Sequence, residues 1–160
     1  MPHLWGVSDA PPDFPLDLLP LARELRRRVG AGGQSELWCL VRRRYVALQP
    51  EELVRQAAIV YLQGLGYPVN LMQLERAVPG SHNRLDLLAL DRAGGPYLLL
   101  EAKRPEVSHL AGVAQLADYR RTVRARYVAS VNGVRGVCYE VSEGRGGVEV
   151  RRGLPAYGGG

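Results

Sequence analysis

The sequence almost lacks lysine: of its 21 lysine and arginine side chains, 20 are arginine and one, Lys103, is lysine. The two cations are not interchangeable at a reactive centre. Arginine is a planar fork that keeps its charge, whereas lysine is a compact ammonium group whose pKa can be shifted. Because all of the remaining basic positions are arginine, we treat Lys103 as a candidate functional residue.

Cysteines and long apolar runs are also scarce. Cys39 and Cys138 lie in apolar surroundings without C-x-x-C spacing, so we expect two core residues in a reducing compartment rather than a disulfide framework. No apolar run approaches the length of about 18 residues that a membrane span needs, and no basic start precedes an apolar segment. We therefore expect neither a membrane span nor a secretory signal, and a cytoplasmic location.

The bulk composition is that of a folded protein. The chain has 160 residues, of which 46% are hydrophobic and 23% charged, which favours one globular domain with short tails. The net charge of +5 and the pI near 9.6 favour a polyanionic partner only weakly, because many basic proteins bind none.

The chain divides into three predicted regions. Residues 1–34 form an N-terminal arm that contains a short helix over 17–30 and ends in a glycine-rich linker. Residues 35–152 form the main domain, and 153–160 form a flexible tail.

Strand-like and helix-like segments alternate in the main domain, which is typical of a mixed α/β sheet covered by helices. Pro50 opens a helix over 50–66, and Ser108 caps a second helix that continues to about Arg124. The predicted strands are 36–48, read either as one strand or as a hairpin, and then 71–78, 84–90, 97–103, 126–133, 134–141 and 146–152.

Charged residues end an otherwise apolar strand at LLLEAKRP, residues 98–105. Because side chains alternate along a strand, Glu101 and Lys103 share one face. Asp86 lies fifteen residues before Glu101 and across a hairpin turn, so the two carboxylates can lie side by side. They would repel each other unless a cation lay between them, and carboxylates combined with water and phosphate are ligands that Mg²⁺ prefers. We therefore predict a Mg²⁺ site, with Mn²⁺ as a substitute.

The pattern D-x₁₄-E-x-K formed by Asp86, Glu101 and Lys103 resembles the core of the PD-(D/E)xK nuclease superfamily. The resemblance implies a restriction-endonuclease-like mixed β-sheet flanked by helices, with an αβββαβ core. It implies that Asp86, Glu101 and the backbone carbonyl of Ala102 hold the metal, and that Lys103 orients or activates the attacking water. Leu85 stands where the family pattern has a proline.

The next predicted helix carries a second motif. Gln115 and Tyr119 are four residues apart and therefore share a helix face. A Q-x-x-x-Y pair in this place resembles the N-terminal nuclease domain of type I restriction enzyme R subunits and related RecB-like nucleases, and the likeness covers roughly residues 42–131. It implies that the pair orients the phosphate or the lysine. It also implies a glutamate of the first helix beside the metal, either Glu52, our first choice, or Glu51.

Arginines are the candidates for DNA contacts. Phosphate contacts position DNA without reading bases, and nothing in the sequence predicts sequence specificity. The candidates are Arg42, Arg43, Arg44, Arg84, Arg120, Arg121, Arg124 and Arg126.

Each candidate also has a purely structural interpretation. Asp86 could pair with Arg84 at a strand end, Glu101 and Lys103 could form a solvated strand edge, and the Q-x-x-x-Y pair could be the polar margin of a helix. The coincidence of all five in register, with the only lysine among them, favours the functional interpretation. His82 and His109 lack ligand spacing, so we interpret them as a loop residue and a residue of a helix start. Asn83 could contact the substrate.

We therefore predict a metal-dependent DNA endonuclease that acts in restriction or in DNA repair. A motor of the P-loop type needs G-x-x-x-x-G-K-[ST], which is impossible in a chain whose one lysine is Lys103. We expect either a free-standing nuclease or one that works with motor or specificity subunits. The oligomeric state stays open, a homodimer included. The alternatives are a nucleic-acid-binding module that has lost cleavage, and a structural subunit of a larger complex.

Overall fold

The computed structural model describes residues 13–78, 80, 84–142 and 147–158. Within them the strands, in chain order, are β1 Phe14–Pro15, β2 Arg27–Val29, β3 Ser35–Cys39, β4 Arg44–Ala47, β5 Met72–Ala77, β6 Arg84–Leu90, β7 Pro96–Ala102, β8 Tyr127–Val131, β9 Arg135–Val141 and β10 Val148–Arg151. The α-helices there are α1 Leu19–Arg23, α2 Pro50–Gly64 and α3 Val113–Tyr119, and the 3₁₀ turns are Val69–Leu71 and His109–Gly112.

The main sheet of the described residues has seven strands in the order β1-β9-β8-β7-β6-β5, with β10 also paired to β9. Only β7 and β8 run parallel, because the segment between them crosses over through α3; the other pairs are antiparallel. The predicted mixed α/β sheet, consistent with a restriction-endonuclease-like fold, is confirmed.

Helices α2 and α3 cover opposite faces of this sheet. Leu98 and Leu100 of β7 belong to the buried cluster that includes Ile59 of α2. Leu99, which points the other way, belongs to the cluster that includes Leu116 of α3. Burial on both faces explains why this strand is a continuous run of leucines rather than an alternating one.

The prediction of α2 is confirmed, because its signals are local. Pro50 lies in the first turn, where its missing N–H costs nothing, and Glu51 and Glu52 follow at the positive end of the helix dipole. The chain reverses beyond the helix at Gly66, whose φ of 95° favours glycine.

The helix predicted over 17–30 is wrong beyond Arg23. Residues Arg27–Val29 instead pair with β3, and the Trp38 N–H donates to the carbonyl of Arg26 at 2.9 Å. A helix as short as α1 is marginal on its own, so the strand pairing determines how the segment continues. The segment 36–48 is a hairpin of β3 and β4, and β2, β3 and β4 form a small separate sheet in the described residues.

The helix predicted over 108–124 is shorter than expected. Ser108 does cap its start, since its hydroxyl accepts the Leu110 N–H at 3.1 Å, but the first turn is 3₁₀ and α3 ends at Tyr119. Gly112 lies where the turn meets α3, directly against the sheet: a Cβ at this position would lie 2.8 Å from Ser130 Oγ and 3.1 Å from Glu101 Cβ.

Both ends of the described chain belong to the main core. Phe14, Leu18 and Leu154 are buried in the same cluster, and Tyr157 packs against it. The boundaries at residues 34 and 152 stay predictions, and residues 1–12 of the predicted arm lie outside the described residues. Among the helices that the structure describes, none has both the length and the apolar composition of a membrane span.

Candidate active site

The site lies where β6 and β7 stop pairing through their backbones. Leu87 and Leu100 are paired in the ladder, and next to them carboxylates replace carbonyls as acceptors. The Ala102 N–H donates to Asp86 Oδ2 at 2.8 Å, and the Asp86 N–H donates to Glu101 Oε1 at 3.3 Å. Each carboxylate is therefore tied to the backbone of the neighbouring strand, and the two acids lie side by side.

Glu101 is the most deeply buried acid of the site, with 2% of its surface exposed. Burial and the negative charge of Asp86 raise the pKa of Glu101 to about 8. Lys103 Nζ lies 4.0 Å from Glu101 Oε2 and opposes this increase only in part. The positive charges of Lys103 and Arg55 therefore do not offset the burial and repulsion of the two carboxylates, which is a feature of sites that accept a further cation.

Lys103 follows β7 directly. Its N–H donates to the carbonyl of Val131 at 2.8 Å, so the chain still runs beside β8 at this point. The lysine side chain is 20% exposed, and its ammonium group lies on the same side as Glu101. The strand alternation that predicts this common face is confirmed.

Helix α2 turns Glu52 towards the site, whereas Glu51 is exposed. The Glu52 carboxylate accepts hydrogen bonds from Arg55 Nη2 at 2.6 Å, from Arg55 Nε at 3.1 Å and from Gln56 Nε2 at 2.9 Å. Burial alone would raise the pKa of Glu52, but these hydrogen bonds and the charge of Arg55 outweigh it and lower the pKa. Glu52 is therefore held in its ionised form.

Arg55 joins Glu52 to the carboxylate pair. It is 8% exposed, and its guanidinium group reaches Asp86 Oδ1 at 3.4 Å and Glu75 Oε1 at 3.7 Å. Arg42, from the turn between β3 and β4, closes the network through Glu52 at 3.4 Å and Glu75 at 2.7 Å. Arg55 was not predicted from the sequence, although its position three residues after Glu52 on one helix face was a usable signal.

The donor set around Asp86 fits Mg²⁺. Mg²⁺ keeps several waters and binds through one or two carboxylates together with substrate phosphates. Asp86 and Glu101 can provide the carboxylates, and Ala102 can add a backbone oxygen. Glu52 is committed to Arg55 and Gln56 instead. Accordingly, no three acidic, histidine or cysteine side chains among the described residues form a ready metal cluster.

Gln115 and Tyr119 meet on one face of α3. Gln115 Nε2 donates to the Tyr119 hydroxyl at 2.5 Å, and that hydroxyl donates to the carbonyl of Arg84 at 3.2 Å. Burial raises the pKa of Tyr119, and the charges of Glu101 and Asp86 add to the increase. The motif is thus anchored to the start of β6, two residues before Asp86.

The arginines that were predicted to contact DNA differ in exposure. Arg43, Arg44, Arg84, Arg121 and Arg124 are exposed. Arg42 is largely buried in the site network, and Arg126 pairs with Glu140 at 2.9 Å. Arg120 corrects the expectation of a surface residue, because it is only 8% exposed.

His109, the histidine that the structure describes, does not join the site. Nε2 of His109 lies 3.1 Å from an oxygen of Asp13, and burial lowers the pKa of the imidazole. His82 and Asn83 lie outside the described residues.

A mixed sheet with helices on both faces, and an acid pair with a lysine where two of its strands end, is the arrangement of a restriction-endonuclease-like α/β domain. The family model described as "Type I restriction enzyme R protein N terminus" matches residues 50–155, well over half of the chain. The chain therefore belongs to this family of restriction-enzyme nuclease-like modules. A comparison with curated proteins gave no match.

Proposed function

We propose that this protein is a Mg²⁺-dependent deoxyribonuclease that hydrolyses phosphodiester bonds, with Mn²⁺ as an alternative cofactor. The observation that carries the proposal is the end of the β6–β7 pair. There, Asp86 and Glu101 are each tied to the opposite strand, and the one lysine of the chain lies 4.0 Å from Glu101. The family match over residues 50–155 supports the same activity.

The positions of the residues support the roles that we propose for them. Asp86, Glu101 and the carbonyl of Ala102 would hold the metal, which would supply Lewis-acid polarisation of the scissile phosphate and a bound water of lowered pKa. Lys103 positions the water that attacks phosphorus, after which the bond from phosphorus to one sugar oxygen breaks. Gln115 and Tyr119 orient the phosphate or Lys103, since their hydrogen bonds anchor them beside the acid pair.

Glu52 acts through Arg55 in this proposal. Its carboxylate holds the guanidinium group at 2.6 Å, and that group contacts Asp86 at 3.4 Å. Glu52 is therefore a positioning residue for Asp86 and not one of the inner ligands. The exposed arginines Arg43, Arg44, Arg84, Arg121 and Arg124 provide phosphate contacts.

The proposed setting is a cytoplasmic restriction or repair pathway. The substrate is DNA, and the natural partners are motor or specificity subunits of the kind that R proteins work with. These 160 residues contain no P-loop lysine, so we assign no motor activity to them.

A plasmid-nicking assay tests the activity. Supercoiled DNA is incubated with the protein in Mg²⁺, in Mn²⁺ or in EDTA, and the variants are Asp86→Asn, Lys103→Ala and Lys103→Arg. We expect nicking only with metal, and a decrease of at least about 100-fold in each variant, because lysine and arginine differ as water-positioning groups. Arg92→Ala, in the turn at the other end of the β6–β7 hairpin, is the control.

Nicking that persists in all three variants would contradict the assignment of the site. DNA binding without nicking in any metal would instead identify a binding module that keeps the fold without cleavage.

A further inference from the structure

The small sheet β2–β3–β4 lies before residues 50–155, which the family model matches, so that match does not account for its surface. One face of this sheet is turned inward, with Leu37 and Cys39 fully buried. The opposite face carries Trp38 and Tyr45, which are paired across β3 and β4, together with two arginines, Arg28 of β2 and Arg26 directly before it.

The two arginines lie over the two aromatic rings. The guanidinium carbon of Arg26 is 4.6 Å from the centre of the Trp38 ring, and that of Arg28 is 3.9 Å from the centre of the Tyr45 ring. The rings themselves meet edge to face at 5.2 Å. A cation placed over an aromatic face is attracted by the electrons of the ring, so these guanidinium groups are held in place.

Each guanidinium group is also anchored through its Nε atom. Arg26 Nε donates to the Tyr45 hydroxyl at 2.7 Å, and Arg28 Nε donates to Glu36 Oε1 at 2.7 Å. Among the described residues, the terminal amino groups of these two arginines make no hydrogen bond. Stacking uses the face of the guanidinium plane and leaves its outer edge free, which is the edge that binds phosphate through two hydrogen bonds.

A surface that only keeps the protein in solution would not need arginines held by both a ring and a hydrogen bond. Charged side chains protect edge strands from unwanted pairing, but a freely moving arginine serves that purpose equally well. Arg121, for comparison, has a side chain that is 79% exposed and forms an ion pair of 3.7 Å with Asp118. Arg26 and Arg28 have instead lost rotamer freedom before any ligand arrives, which reduces the entropy that binding costs.

The hairpin of β3 and β4 also borders the active site. Its turn carries Arg42, which contacts Glu52. Strand β4 borders an open cavity of about 330 Å³ that Glu52, Arg55 and Glu75 also line. Arg44, which also lines this cavity, pairs with Cys39 and therefore lies on the face of the small sheet opposite to Tyr45.

We propose that the outer face of the small sheet, built from Arg26, Arg28, Trp38 and Tyr45, is an accessory binding surface for the phosphate backbone of nucleic acid. That this nucleic acid is DNA rests on the proposed function. The surface provides affinity without sequence readout, because it offers phosphate contacts and no element that enters a groove.

Equilibrium binding of a labelled DNA duplex, measured by fluorescence anisotropy in EDTA so that no cleavage occurs, tests this surface. The variant Arg26→Ala with Arg28→Ala is compared with a control of equal charge, Arg92→Ala with Arg152→Ala. Arg92 is a matched residue, since it is also exposed and lies 5.3 Å over the ring of Tyr157. We expect affinity to fall about tenfold or more in the first variant, and the slope of log affinity against log salt to flatten by about 1.8, the value for two lost phosphate contacts.

Two further variants test whether DNA affinity depends on the ordered position of the arginines or only on their charge. Arg26→Lys with Arg28→Lys keeps the charge but not the planar fork, and Trp38→Ala keeps the arginines but removes one stacking ring. We expect both to bind DNA more weakly than the original chain, with circular dichroism melts used to show that each variant is folded. Affinities equal to that of the original chain in both would overturn the role of stacking.

The surface proposal fails if the alanine variant and its control bind DNA equally well, or if the original chain does not bind DNA at low salt. It also fails if poly-glutamate competes as strongly as unlabelled DNA, which would indicate an acidic protein partner. Nicking by the original chain, together with normal DNA binding by the alanine variant, would refute the surface proposal and support the nuclease proposal. Weaker DNA binding by the alanine variant in EDTA, in a protein that shows no nicking with metal, would refute the nuclease proposal and support the surface proposal.

Discussion

Glu101 makes stability depend on pH. Its pKa is raised from 4.5 to about 8, so the folded state holds this proton more tightly than the unfolded state does. The stabilisation that results is fully present below the unfolded pKa and is lost as pH rises through the folded pKa. In EDTA, we therefore expect the original chain to lose stability relative to Glu101→Gln between about pH 5 and pH 9, by on the order of 4 kcal/mol.

Thermal or urea unfolding at several pH values measures this difference. The glutamine keeps an acceptor for the Asp86 N–H, so the comparison isolates the charge. Glu51→Gln, on the exposed side of α2, is the control for a simple change in net charge. A difference between the original chain and Glu101→Gln that stays constant with pH would contradict the assigned cause.

At the scale of elements, Arg55 joins α2 to the sheet, since it pairs with Glu52 of the same helix and also contacts Asp86 of β6 at 3.4 Å. Arg55→Leu would leave Glu52 buried with fewer partners, and breaking a buried pair on one side costs about 3–5 kcal/mol. We expect a decrease of this size in the free energy of unfolding, measured with urea in the absence of metal.

The control for this change is Arg121→Leu in the turn that follows α3. Arg121 and Asp118 have the same three-residue spacing, but the pair is exposed, so we expect a loss of less than about 1 kcal/mol. Equal losses in the two variants would show that Arg55 does not link α2 to the carboxylates.

At the scale of the whole molecule, the segment after β10 closes the core. Leu154 is 8% exposed, and two buried tyrosines donate to this segment: Tyr67 to the carbonyl of Pro155 at 2.8 Å, and Tyr97 to that of Ala156 at 3.0 Å. A chain that ends at residue 152 should therefore lose at least about 3 kcal/mol of stability, from apolar burial and two hydrogen bonds.

Calorimetry or urea unfolding of the shortened chain gives the measurement. A chain that ends at residue 158 keeps all of these contacts and serves as its control. Unchanged stability after removal of residues 153–160 would support the sequence-based prediction of a separate flexible tail.

Residues close to each other in the sequence determine several features of this protein by themselves. The bounds of α2 follow from Pro50, its acidic first turn and its glycine end, and strand alternation places Glu101 and Lys103 on one side. The hairpin spacing brings Asp86 beside Glu101. These features depend on residues that are close in sequence, so the period and the spacing were enough to predict them.

Contacts between distant segments were decided only by the tertiary structure. Arg27–Val29 resembles the end of a helix but is a strand, because β3 pairs with it. Arg55 contacts Glu75 and Asp86 from another element, and Arg120 is buried although its neighbour Arg121 is exposed. A sequence pattern predicts which side chains share a face of one element. Which face meets which neighbour depends on the packing of the whole sheet, and that packing exists only in the folded chain.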